Sequence, residues 1–514
     1  MANRRKFLGQ MAASSVVVTM PAFLAGCGLA PAIQTAEPIP VNYFMQWFGI
    51  DEARIATIMS ALTVNGADRA DLYFQHKRSN SISVTGGVIE AANTEIVQGV
   101  GLRVVIDGQT GYAFTEELSL PAMLAAARTA ASIANTPNAE LIMPSTYAIQ
   151  ETGKLYSTSI PWDEVGNDQK QAILERIDNR ARAADPTVSN VAATWSDVDE
   201  RIMIATLDGR IVTDHRPMIR VSTQVSATRF DETQSGYASI GGRQDIASMT
   251  DVRIDQLAAD AVDRTLILFD AHQPEPAELP VILAAGGGGI LLHEAIGHSL
   301  EADFNLKGAS VYSDLLGKAV AEPVVTIIDD GAIPNERGAL NYDDEGNVCG
   351  QNTLVEKGIL TSYLHDSITA EAYDLGVTGS GRRESFKHVP MPRMTCTSIE
   401  NGPHRKDEII AAVDHGIIAE TITNGRVAIG AGDFSFYVKN GWLVEGGKIT
   451  APLRDMTLTG NGPETLQRIS MVADDKAFDP GGWTCGKNGQ QVPVSQGIPT
   501  TLVSKMRVEN GASG

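Results

Sequence analysis

The sequence predicts an α+β protein. Its N-terminal region mixes antiparallel hairpins with helices, and its C-terminal region is largely antiparallel β and carries one distinctive helix. Three observations predict this. Residues 70–115 and 188–242 read as strands and hairpins, with turns at Thr85-Gly86-Gly87, Asp107-Gly108 and Asp208-Gly209. Helical stretches stand between and around them. Beyond residue 300, β-type segments recur between glycine turns and helical runs are few.

The elements follow in order. The first 27 residues read as a targeting segment. Arg4 and Arg5 open a twin-arginine pattern, and an apolar stretch follows over 11–24 that is too short and too rich in Ala and Ser to span a membrane. Leu24-Ala25-Gly26-Cys27 then resembles a lipoprotein signal box, which implies a mature chain starting at Cys27 with lipid on its sulfur. The alternative is ordinary signal cleavage with Cys27 incidental. Residues 28–47 read as a tether. A helix is predicted over 51–62 with Asp51 at its start, and others over 120–134, 168–184 and 251–269. The Pro- and Glu-rich stretch 271–280 divides an N-terminal region, 48–270, from a C-terminal domain, 281–510. That domain opens on an apolar strand, 281–285, and a glycine run, Gly286–Gly289. Further strands are predicted over 323–329, 353–365, 426–429 and 434–448. A strand, a glycine run and a helix can suggest a phosphate loop, but Leu291-Leu292 stand where that loop needs Lys-Ser/Thr.

The helix after the glycines carries His293, Glu294 and His298. Two imidazoles around a carboxylate are the kit of a zinc hydrolase: neutral His nitrogens bind metal, and a Glu that is not a ligand handles protons. The spacing is HExxxH, one residue longer than the common motif. At about 100° per residue, positions five apart diverge by roughly 140° on a regular helix. A π-type turn is therefore predicted between them, eased by Gly297. A catalytic zinc usually takes three protein ligands. Glu301, one turn on, and Cys485, in glycine-rich surroundings with Lys487 nearby to favour a thiolate, are both candidates, and spacing does not choose between them.

Long motifs carry a family resemblance. They are HEAIGHSLEADF, the stretches Gly376–Met394 and Asp433–Ile449, the tail Leu466–Thr500, and Glu95–Thr115 in the amino half. Over roughly residues 50–510 the chain resembles the TldD/PmbA metallopeptidases, in particular their metal-bearing TldD-type subunit. The resemblance implies zinc held by His293, His298 and Cys485, with Glu294 as catalytic carboxylate and Glu301 orienting a ligand imidazole. It implies a zinc-activated water attacking peptide bonds of unfolded proteins or peptides. It also implies a homodimer, or a heterodimer with a TldE/PmbA-like subunit. Family members are usually intracellular, so the export signal is a departure. It points to an extracytoplasmic or periplasmic protein held on a membrane by lipid alone. The rival reading is a lipid-anchored, non-catalytic peptide-binding or assembly subunit with a structural zinc.

Other residues carry two readings each. Arg382 and Arg383 either hold a peptide carboxylate or carbonyl, or pair internally with Asp343, Asp344 or Glu345. His388 either stabilises an oxyanion or is structural. Asp433 either orients a ligand or caps a turn. Cys349 and Cys396 form a disulfide or stay as buried thiols, and the reading leans to thiols. The 514 residues exceed one core, so two or three domains are expected. With 41 basic and 62 acidic residues the net charge is −21, and with no broad basic stripe a nucleic-acid partner is excluded.

Overall fold

The computed structural model describes residues 43–133, 146–150, 153–156 and 159–511. The targeting segment with Arg4, Arg5 and Cys27 lies outside them. Tyr43–Phe48, placed by sequence at the end of the tether, is a helix whose Phe44 is buried in the core. The next helix, Glu52–Leu62, starts where its cap predicts: the Asp51 carboxylate accepts from the Arg54 N–H at 2.9 Å.

The strands Arg69–Thr85, Val88–Ile106 and Gln109–Thr115 form an antiparallel meander. Its two turns are tight because both central residues take positive φ: Gly86 and Gly87 in the first, Asp107 and Gly108 in the second. Val188–Thr206, Arg210–Arg229 and Glu232–Gly242 extend the same sheet. Its long strands serve two successive cores. Toward one end, Leu72, Phe74 and Leu102 pack under the helices Glu52–Leu62 and Leu120–Ile133. Toward the other, Ile82, Trp195 and Val221 pack under Asn167–Ala184 and Asp251–Leu266. One buried ion pair pins a helix to this second core. Lys170 Nζ lies 2.6 Å from Asp197 Oδ2, and Trp195 Nε1 donates to the same oxygen at 2.7 Å.

Besides a two-stranded sheet, Gly381–Arg382 with Met391–Pro392, the second half contains two larger ones. The strands Lys448–Asn461, Asp433–Glu445, His415–Ala428, Ala277–Leu283 and Thr501–Asn510 pair in that order, and the last pairs back with the first, closing a ring. The other sheet runs through Gln351–Glu356, Ile327–Asp330, Cys396–Ile399 and Gln490–Ile498. The antiparallel expectation holds for most pairs. Two are parallel, Ala277–Leu283 with His415–Ala428 and Cys396–Ile399 with Gln490–Ile498. Strand extents also differ. The strand expected over 323–329 starts later and ends later, at Ile327–Asp330; Gln351–Glu356 and Ile359–Leu360 replace the single strand over 353–365, and Ala277–Pro280 of the expected linker already belongs to a strand. Cys349 and Cys396 are free buried thiols.

The halves meet through buried charge. Glu345, on the loop after Leu340, lies 2.6 Å from Arg103 Nη1 of the first sheet, and Arg103 also pairs with Asp71. Asp344 lies 2.6 Å from Arg216, and Arg383 reaches Asp71 at 2.9 Å. Among the described residues no helix is long and apolar enough to cross a membrane.

The Lys170–Asp197 pair gives a direct test. Lys170→Ala strands a carboxylate in the second core and should lower the urea-unfolding free energy by about 3–5 kcal/mol. A loss under about 1 kcal/mol, as exposed pairs show, would mean the pair does not hold the helix down.

Candidate metal centre

The strand Ala277–Leu283 delivers the chain into the glycine run. Gly286 takes φ +72, and a Cβ on Gly287 would fall 2.3 Å from the carbonyl oxygen of Glu420. These glycines serve close backbone packing. A short α-helix, Gly289–Leu292, then runs into a π-helical turn, His293–Gly297, and a 3-10 turn, His298–Leu300. The N–H of His298 donates to the carbonyl of His293, five residues back. The extra residue in the turn brings the imidazoles together, with ring centroids 5.0 Å apart. Gly297 is not there for conformational freedom, since its φ of −57° is ordinary helix. It is there because a Cβ would lie 2.1 Å from the Met394 sulfur.

Cys485 arrives from the far end of the chain on the strand Trp483–Lys487. That strand turns through Asn488-Gly489, both at positive φ, into Gln490–Ile498. The Asn-Gly pair is a strong hairpin signal that the sequence reading did not use. Cys485 Sγ lies 3.3 Å from His298 Nε2. One donor atom from each of His293, His298 and Cys485 falls within 4.8 Å of the others, and all three residues are buried. Both ring nitrogens of His293 are buried and make no hydrogen bond. Two imidazole nitrogens and a thiolate suit zinc, and unpaired buried nitrogens suit a metal better than a packed core.

The surroundings tune these donors. Burial pushes the Cys485 thiol up, but the His293 and His298 imidazoles outweigh it and hold the thiol well below its usual value. Burial pushes His298 down, and Glu301 and Cys485 overcome that to hold it well above 6.5. Glu301 Oε2 lies 3.0 Å from His298 Nδ1. Burial opposes ionisation of Glu301, yet Lys487 and His298 hold its pKa down at about 2. Lys487 therefore serves Glu301, at 3.0 Å, and Asp303, at 2.6 Å, while the charge that favours the thiolate comes from the imidazoles. Arg393, which sequence reasoning missed, donates to the Cys485 carbonyl at 2.6 Å and lies 3.9 Å from Glu301. Its only signal was its place in Gly376–Met394. Glu294 is half-buried, one residue beyond His293.

The other candidates are engaged by partners outside the three donors. Arg383 donates to the Asp71 carboxylate and to the Asp344 carbonyl, both buried; its ion pair is internal but with Asp71, not with any of the three acids read for it. Arg382 donates to the carbonyls of Met394, at 2.5 Å, and Pro493, at 2.7 Å. His388 Nδ1 bonds the Ser385 hydroxyl at 3.0 Å within a turn. Asp433 begins a strand and accepts from Asn461 at 3.0 Å. A cavity of about 430 Å³ reaches Trp483 and Thr484, beside Cys485, and is walled by Glu232–Gly242 and the bulged stretch Thr421–Thr423.

Known proteins share this plan. Models of the PmbA/TldA metallopeptidase family match in three parts: domain 1 over residues 70–134, the central domain over 160–269 and the C-terminal domain over 276–510. A metalloprotease TldD homolog of Haemophilus influenzae is 37% identical over 459 residues, 88% of this chain and 95% of its own. A zinc metalloprotease TldD homolog of Saccharolobus solfataricus is 25% identical over 86% of this chain and 97% of its own. Among solved structures, a Thermotoga maritima protein proposed to modulate DNA gyrase superposes with a TM-score of 0.74 at 20% identity, covering 89% of this chain and all of that one. TldE from Thermococcus kodakarensis superposes with a TM-score of 0.66 at 19% identity, covering 87% and 99%. These two likenesses concern the fold.

The Gly297–Met394 contact is open to test. Gly297→Ala should cost about 1–3 kcal/mol of stability by overpacking and lower bound metal, read by denaturation and by metal analysis of the same sample. Unchanged stability with unchanged metal would dissociate the glycine from the turn.

Proposed function

The chain belongs to the PmbA/TldD metallopeptidase family, and we propose that it is an exported, zinc-dependent peptidase with His293, His298 and Cys485 as ligands and Glu294 as general base. One observation carries this reading: a π turn gathers two imidazoles spaced five residues apart around a buried cysteine. Among the described residues three donors converge, the number of a catalytic site, where a structural zinc takes four.

Zinc bound there would supply Lewis acidity to a water and to the scissile carbonyl. The chain's own groups do the rest. Glu301 accepts from Nδ1 of His298, which fixes the tautomer and leaves Nε2 free to ligate. Lys487 and Arg393 keep Glu301 anionic so that it can do this. Glu294 takes the proton of the attacking water on a carboxylate oxygen and returns it to the leaving amine. The substrate proposed is an extended, unfolded peptide. The cavity beside Cys485 is bordered by Glu232–Gly242, a strand with one neighbouring strand among the described residues, although its Gly241 N–H already donates to the Pro480 carbonyl at 2.8 Å and its Tyr237 carbonyl accepts from Arg264 at 2.9 Å. Such an edge can add a peptide strand through backbone hydrogen bonds with little sequence preference. A second copy, or a TldE-like subunit of the same fold, is the proposed partner.

Two experiments test this reading. Glu294→Gln should keep zinc and lose about 10²- to 10⁴-fold in peptidase rate, while Cys485→Ala should lose zinc and Cys349→Ala should not. Full activity of zinc-loaded Glu294→Gln would remove Glu294 from the mechanism. Export rests on Arg4-Arg5 and the box ending at Cys27. The mature amino terminus should carry lipid on Cys27 by mass spectrometry, and Cys27→Ser should leave the membrane fraction. An unmodified terminus would reject the anchor, and a cytosolic protein that keeps Met1 would reject export.

A further inference from the structure

The chain carries a net charge of −21, yet one cavity has twice as many cations as anions on its wall. It holds about 220 Å³ between the first sheet and the Cys485 hairpin, with six basic side chains on its wall against three acidic ones. The acids are already engaged. Asp344 accepts from Arg216 at 2.6 Å and from the Arg383 N–H at 2.8 Å. Glu200 accepts from Gln75 at 2.5 Å, and Glu384 from the Gln491 N–H at 2.7 Å.

Three guanidiniums on this wall have no carboxylate within ion-pair distance among the described residues. Arg382 gives two N–H groups to carbonyls, and its Nε makes no hydrogen bond. Arg337 donates to the Trp483 carbonyl at 3.2 Å and to the Thr484 hydroxyl at 3.1 Å. Arg243 has an unpaired Nε and lies 5.5 Å from the Tyr156 ring. Arg382 is 2% exposed and Arg243 3%. Burial, together with neighbouring arginines, brings Arg337 and Arg382 down to about 10, so both stay cationic at neutral pH. Buried charge with only neutral partners is costly unless a counter-ion joins it.

The cavity backs onto the metal centre. Cys485 pairs with Val492, and Thr484 with Pro493. Side chains alternate along a strand, so Thr484, on the cavity wall, faces away from the side that presents Cys485 to His298. Arg337 and Arg382 hold the backbone of this hairpin from behind, at Trp483 and Pro493.

We infer that the cavity walled by Arg243, Arg337 and Arg382 is an anion site for a single carboxylate- or phosphate-type group, on the face of the hairpin opposite the metal ligands. Guanidinium forks match both oxyanions. The volume lies below the roughly 300–1,000 Å³ of drug-sized pockets, which suits one small group. That group is either a free anion or the terminal carboxylate of a peptide.

Binding needs no turnover, so this site can fail or stand apart from the peptidase reading. The thermal midpoint of the full chain is measured with inorganic phosphate, with acetyl-trialanine as free acid and as amide, and with sodium chloride at matched ionic strength. A saturable rise with phosphate or with the free acid, and none with the amide or chloride, is expected. Phosphate alone identifies a free anion, and the free acid identifies a peptide terminus. Arg337→Gln and Arg243→Gln should each weaken the response about tenfold or more with metal content unchanged. The site is overturned by no rise beyond chloride, or by an equal rise in the wild type and both variants, which is the general stabilisation phosphate gives any protein.

Discussion

Two imidazoles five residues apart can meet only if the helix between them carries one residue more than an α-helix allows. That constraint organises the second half of the molecule. The π turn at His293–Gly297 is the most locally irregular part of a buried helix, and its surroundings are cut to it. Met394 packs where a Cβ on Gly297 would stand. The glycine run before it lets the helix start hard against Glu420 and Gln496. The Cys485 hairpin closes from the other side, its backbone carbonyl held by Arg393. A regular helix would turn one imidazole away and leave this packing without a purpose.

Charge runs outward from the centre in alternating sign. Cys485 faces His298, His298 faces Glu301, and Glu301 faces Lys487 and Arg393. Each buried group is compensated by the next, so no charge stands isolated in the core.

Much of the fold was legible because its determinants are local. The Gly86-Gly87 and Asp107-Gly108 turns, the Asp51 cap and the five-residue His spacing each act within a few residues, and each has the predicted backbone consequence. The unread features are non-local. Gly297 looked like relief for the distorted turn, but its reason is Met394, nearly a hundred residues on. Lys487 looked like a partner for its neighbour Cys485, but in a strand its side chain and that of Cys485 share a face, and the stronger claim comes from Glu301. Tyr43–Phe48 carries no cap or period that separates it from a linker, and what marks it is tertiary: Phe44 is buried, and Tyr43 and Phe48 pack against the same core. The parallel pair of Ala277–Leu283 with His415–Ala428 depends on which strands become neighbours, and no local pattern records that.

The buried arginines of the first sheet set a timetable for the nascent chain. Arg103 is separated from Glu345 by 242 residues, and Arg216 from Asp344 by 128. Asp71 and Asp214 reach these arginines early, from the same sheet. The remaining acids emerge from the ribosome later. At about 5–20 residues per second, the gap before Glu345 amounts to roughly 12–50 seconds. Through that interval the meander has its hydrogen bonds and its apolar face but not its full complement of counter-charges. The first half is then a scaffold awaiting its keystone, and the loop carrying Asp344 and Glu345 both completes it and ties to it the half that holds the candidate metal centre.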